Sequence, residues 1–262
     1  MKTSSARRVH CVLKRAYEHE QTNGNTLQLW ATVFGIADPK NNITPEVEDG
    51  VLSALRDLRD EVTEVERSVM NDAERVAGVA PIAQATRLLT ASNVLYGDWN
   101  QTKSNHLRPE FLAGWHWAAI TLPSEDDQIS EEALASLSNE LEQLENVAAL
   151  EDVPDELRRL VRKQANSIRN AMRRYDIRGA TPLRDAVSQA TGELLREQDE
   201  IRSAVEKAPE SGRQVFEHVR AVWNAAAKLC GDADKFHKGY LLVMDIYDKA
   251  LPMLERLPTQ LG

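Results

Sequence analysis

The sequence predicts an all-α fold, with an N-terminal helical region followed by a C-terminal antiparallel bundle of long amphipathic helices. Three observations carry this. Ala, Leu, Glu, Arg and Gln, the strong helix formers, dominate the composition. Aromatics are only 5 % and Gly only 12 of 262 residues, which argues against sandwiches and barrels with their many turns and aromatic-rich strands. Apolar residues recur in steps of three and four, the spacing of one helical face. With 42 % apolar and 28 % charged residues, the chain can bury a core in one large domain or two ordinary ones.

Along the chain, a first helix is predicted from about Ser4 to Glu20, with Val9, Val12, Leu13 and Ala16 on one face. Asn23-Gly24-Asn25 ends it, since both residue types accept left-handed backbone. A short helix from Thr26 to Ile36 presents Leu27, Trp30, Val33 and Phe34, and Asp38 to Asn42 reads as a loop. Thr44-Pro45 opens a long third helix, Thr as cap and Pro in the first turn. Its stripe is Val47, Val51, Leu55, Leu58, Val62, Val65 and Val69, and it extends to about Val76. Its remaining faces, with Asp57, Asp60 and Glu61 among many charges, read as a solvated outer surface. A helix from Ile82 to Leu95, a turn at Gly97-Asp98-Trp99-Asn100 and a helix from Pro109 through Ile120 follow.

Pro123 to Asp127 is polar and acidic and marks the internal boundary, giving an N-terminal domain over 1–123 and a bundle over 130–262. In the bundle, Leu134, Leu137, Leu141, Leu144 and Ala148 form one seam. Leu157, Leu160, Val161, Ile168, Met172 and Tyr175 form the next. Leu183, Val187, Ala190, Leu194, Ile201 and Val205 form a third. Short turns join them, so consecutive helices are expected to be antiparallel neighbours, in the manner of a coiled coil. Acidic residues in the first (Glu140, Glu142, Glu145) face basic ones in the second. A fourth helix from Ser211 carries a capping box with Gln214, and a last one from Asp232 to Leu257 is kinked at Pro252.

The net charge of −9 is unevenly spread: +3 over residues 1–40, −15 over 41–152 and +3 over 153–262. Nucleic acid would be repelled by the middle and would have to use an end. Cys11 and Cys230 offer no metal spacing or disulfide framework and read as small, reduced core residues. No apolar region follows Lys2, Arg7 and Arg8, and the longest aliphatic run is Leu241 to Met244. A cytoplasmic protein without a membrane span or signal peptide is expected.

Phosphate loops, dinucleotide loops, HExxH, CxxC and GxSxG are absent from the sequence. His10 and His19 are nine residues apart and do not share a helical face, so no metal site and no cofactor are expected. Trp115-His116-Trp117 places two indoles on different faces, one for the core and one for a partner surface, so Trp115 and Trp117 are the candidate partner-binding residues. Seven cations lie in the seventeen residues from Arg158 to Arg174, with Arg162, Arg169 and Arg173 near one face. These three are the candidate nucleic-acid contacts, although pairing with the acidic neighbour accounts for the same residues.

Arg213 and His218 form an Arg-x4-His spacing at a helix start. This resembles the signature of the HEPN superfamily, helical bundles that include RNases. The resemblance covers six positions and implies metal-independent RNA cleavage, Arg213 near the phosphate and His218 in acid–base chemistry, with two protomers meeting. The family prefers Asn, Asp or His where Gln214 stands; the alternative is a capping-turn Arg and a surface His. Taken together, the sequence points to a helical protein–protein interaction module: a scaffold, adaptor or regulatory subunit acting through a protein partner or self-association. A HEPN-like RNase and nucleic-acid binding through helix 158–174 are the alternatives.

Overall fold

The structure is a computed structural model that describes residues 2–19, 25–37, 42–70, 79–123, 126–127 and 129–230. Among these the all-α architecture is realised by thirteen helices. They are α1 (Ser5–Glu18), α2 (Thr26–Val33), α3 (Pro45–Met70), α4 (Val79–Leu88), α5 (Ala91–Tyr96), α6 (Trp99–His106) and α7 (Pro109–Thr121), then α8 (Glu131–Ala148), α9 (Asp155–Arg173), α10 (Tyr175–Arg178), α11 (Thr181–Arg196), α12 (Gln198–Lys207) and α13 (Pro209–Cys230). A two-residue antiparallel ladder pairs β1 (Lys2–Thr3) with β2 (Asp126–Asp127). The helix expected over 232–257, with its kink at Pro252, lies outside the described residues, as do residues 71–76 of the third. Two compact units are formed: Met1–Gln128 with Arg173–Gly179, and Ile129–Met172 with Ala180–Gly262.

In the first unit α1 starts where Ser4 accepts the Arg7 N–H, a side-chain cap that satisfies one orphan donor. Its apolar face, Ala6, Val9, Val12, Leu13 and Ala16, is fully buried. The stripe of α3 from Val51 to Val69 joins the same core, with Trp30, Trp99, Trp115 and Ile177. Two sequence expectations are corrected here. The single helix over 82–95 is two, because the chain turns at Leu89-Thr90 and the Leu89 carbonyl accepts Arg59 Nε at 2.7 Å. The turn at 97–100 is the start of α6, where the Asp98 carboxylate accepts the Gln101 N–H at 3.0 Å and Trp99 enters the core.

In the second unit the seams of α8, α9, α11 and α12 meet those of α13 around Leu141, Leu160, Val187, Ile201 and Trp223. The third seam is not one helix: α11 and α12 meet at Glu197, with φ −98° and ψ 10° outside the helical run. Pro209 begins α13 two residues before the expected cap. Ser211 therefore sits in the first turn, buried, and its hydroxyl donates to the Asp152 carbonyl at 3.1 Å instead of closing a capping box. That bond places the start of α13 at the end of α8. The two helices pack closely and run antiparallel, so α8 has a non-consecutive neighbour.

Two glycines test this packing. A Cβ on Gly114 of α7 would lie 2.4 Å from Pro81 Cγ, whereas one on Gly192 of α11 would meet nothing within 4 Å. Gly114→Ala is expected to destabilise by about 1–3 kcal/mol despite its better helix propensity. Gly192→Ala should stabilise by about 0.5–1 kcal/mol. Chemical denaturation of the two variants checks both signs.

Candidate functional site

The interior of the first unit contains charge. Arg8 and Glu61 are joined at 2.6 Å with side chains only 8 % and 7 % exposed. The guanidinium Nε also donates to the Ile177 carbonyl, and Nη2 donates to Ser5 Oγ, both at 3.1 Å. The second Glu61 oxygen lies 3.4 Å from Arg178. One turn away, buried Asp57 takes both donors of Arg174, at 2.5 and 2.6 Å. Asp57 and Glu61 are thus not part of a solvated face, as their charged neighbours on α3 suggested; arginines from α1 and from residues 174–178 surround them. Gly179 closes the arrangement at φ +63°, and a Cβ there would lie 3.1 Å from Arg8 Nη1. Both the left-handed backbone and the close guanidinium favour glycine.

This network anchors α1, whose outer face carries Arg7, His10, Cys11, Lys14 and Arg15. A cleft of about 370 Å³ runs along it, lined also by Tyr175 and Asp176. Its cations are largely spoken for: Arg15 pairs with Asp176 at 2.8 Å and Lys14 with Glu18 at 3.6 Å. Cys11 is a free, exposed thiol on this face, which corrects the expectation of a core cysteine. The Cys230 side chain lies outside what the structure describes.

Helix α7 packs directly on α1. Trp115 turns inward and is 2 % exposed, while Trp117 is 50 % exposed, as two positions 200° apart on a helix require. Ile120, near the end of the same helix, is 69 % exposed. It lies three residues after Trp117 and shares its face. His116, between the two tryptophans, is exposed and touches the His10 ring of α1. The outer side of α7 therefore presents two large apolar side chains beside a pair of imidazoles.

The other sequence candidates lie elsewhere. On α9, Arg162 and Arg173 are exposed, while Arg169 makes a bidentate pair with Glu145 of α8. Most of the remaining cations find partners other than α8: Arg159 with Glu200 of α12 at 2.6 Å, Lys163 with Glu193 of α11 at 3.0 Å, and Arg174 with Asp57. Arg158 donates to the carbonyls of Leu150 and Val153. Charge pairing does hold this helix, but chiefly against α11 and α12. Arg213 and His218 stand five residues apart on the continuous helix α13, so they point about 140° away from one another. Arg213 pairs with Glu217 at 3.1 Å and His218 is half-buried. Within one chain they do not meet. Among the described residues no group of three or more His, Cys, Asp or Glu is arranged to hold a metal.

Comparison with protein-family models, with curated proteins and with solved structures gives no match for this chain.

Two variants probe the buried charges. Glu61→Gln is expected to destabilise by about 3–5 kcal/mol, because Arg8 and Arg178 lose their counter-charge in the interior. The double variant Arg8→Met, Glu61→Leu should cost far less than the two single changes summed, read as the urea midpoint. Glu193 gives a pH signature. Burial raises its pKa, but hydrogen bonds from Lys163 and Gln189 and the nearby Lys163 and Arg196 charges outweigh it, holding the carboxyl below its ordinary 4.5. A depressed carboxylate contributes stability above its unfolded pKa and loses it as pH falls. The stability gap between wild type and Glu193→Gln, about 1–2 kcal/mol at pH 7, should close as pH falls below 4.5 through the lowered folded-state value.

Proposed function

We propose that the chain is a helical protein–protein interaction module, a scaffold, adaptor or regulatory subunit, and that the outer face of α7 is its contact surface. The observation that carries this is Trp117 and Ile120, 50 % and 69 % exposed on one helical face. Half an indole and most of an isoleucine in water is an unfavourable arrangement that a partner relieves, and tryptophan is the residue most enriched among interface anchors. The face is also rigid. Trp115 is sunk in the core beneath it, and Gly114 is in close contact with Pro81. A preorganised anchor loses little conformational entropy on binding.

Lys14 of α1, paired with Glu18 at 3.6 Å, lies near His10, which touches His116 beside the exposed indole. A segment that suits this face carries an apolar side chain for Trp117 and Ile120, an amphipathic helix being the simplest case. No helix among the described residues is long and apolar enough to cross a membrane.

Affinity purification from the native host with mass spectrometry tests the reading. A partner recovered with wild type should be lost from Trp117→Ser and Ile120→Ser, both of which should stay folded because neither side chain is in the core. Recovery of the same proteins by the double variant, or a wild type that is strictly monomeric and partnerless, overturns it.

A further inference from the structure

Independently of any partner, α1 and α7 bring His10 and His116 together, with ring centroids 5.2 Å apart and planes tilted by 53°. We propose that this pair is an open two-histidine site for a divalent transition-metal ion of the zinc or copper type, with the remaining coordination positions left to water or to a ligand brought by another molecule.

The spacing is the first support. A metal–imidazole nitrogen bond is about 2.0–2.1 Å and the ring centre lies about 1 Å beyond the nitrogen, so two imidazoles on one tetrahedral ion have centres roughly 5 Å apart. Their planes need not be parallel, because each ring turns freely about its own metal–nitrogen direction. The donor chemistry is the second. Imidazole suits zinc, copper and nickel and discriminates against magnesium and calcium, which take oxygen ligands. Rigidity is the third: both histidines sit on helices anchored in the core, through Val9, Val12 and Leu13 on α1 and Trp115 on α7. Neither ring needs a backbone rearrangement to hold its place.

The surroundings set the strength. Burial, then His116, Lys14 and Arg7, hold His10 below its ordinary 6.5, with Glu18 opposing them. Arg7 and Lys14 also repel a dication, and only two protein donors are present. Affinity is therefore moderate, and copper binds more tightly than zinc. His116 precedes Trp117 in the chain, so a bound ion stands at the border of the exposed apolar face.

The test uses the untagged full-length chain and titrates it with Zn²⁺ and, separately, Cu²⁺ in a non-chelating buffer by calorimetry. Wild type should bind one equivalent of either ion, and His10→Ala and His116→Ala should each weaken binding by at least about tenfold. His19→Ala, at the far end of α1, should bind as wild type, and circular dichroism should show unchanged helicity in all three. Wild type without a one-equivalent transition, or undiminished binding in either of the two critical variants, overturns the proposal. Because partner capture is assayed without added metal, failure here is distinguishable from failure of the docking surface.

Discussion

A carboxylate inside an apolar core survives as a charge only when its oxygens are met by donors, and Glu61 meets that condition from two directions. Arg8 comes from the first helix and Arg178 from a stretch more than a hundred residues further on. The pairing decides more than local electrostatics. It sets the rotation of α1 against α3, which in turn sends Val9, Val12 and Leu13 inward and turns Arg7, His10, Cys11 and Lys14 outward. The cleft on α1 and the imidazole contact with α7 both follow from that rotation. Replacing such a pair by apolar residues is often neutral for stability, so its contribution here is better understood as specificity of arrangement.

The second unit uses charge differently. Lys207 meets Glu156, Arg159 meets Glu200 and Lys163 meets Glu193. As the numbers rise along α9 they fall along α12 and α11, so three ion pairs register the antiparallel packing of these helices. Most of these side chains are partly solvated, and each pair contributes modestly, about 0.2–1 kcal/mol. The apolar seams supply the cohesion, and the charges select one alignment among those the seams allow.

Helices were legible in the sequence wherever a long amphipathic period met a strong punctuation mark: α1, α8 and α9 lie close to their expected spans, and α3 follows its own as far as Met70. The short elements were not. Asp98 capping α6 looked like a turn because eight residues containing Trp99, Asn100 and Ser104 offer no apolar stripe. Buried charge was the harder failure. Asp57 and Glu61 repeat at the spacing of a solvated helix face, and only their arginine partners, distant in sequence, distinguish burial from exposure. The same limit hid the imidazole pair: the histidine nearest His10 in sequence is His19, whereas the contacting ring belongs to α7. By contrast, Trp115 and Trp117 were separable by helical phase alone, since the angle between neighbouring positions is a property of the backbone. The role given to Trp117 rests on exposure, which phase does not supply for Ile120 beside it.

The return of residues 173–179 to the first unit also has a temporal meaning. A chain leaving the ribosome exposes its first 128 residues while the counter-charges for Asp57 and Glu61 on Arg174 and Arg178 are still unsynthesised. Ile177, part of the same core, is missing as well. Until then α1 and α3 hold a carboxylate pair with Arg8 as its nearest relief, and their shared surface stays incompletely sealed. Folding of this unit is thus not strictly N-terminal first; its last step waits for a short helix that follows α8 and α9 in the order of translation.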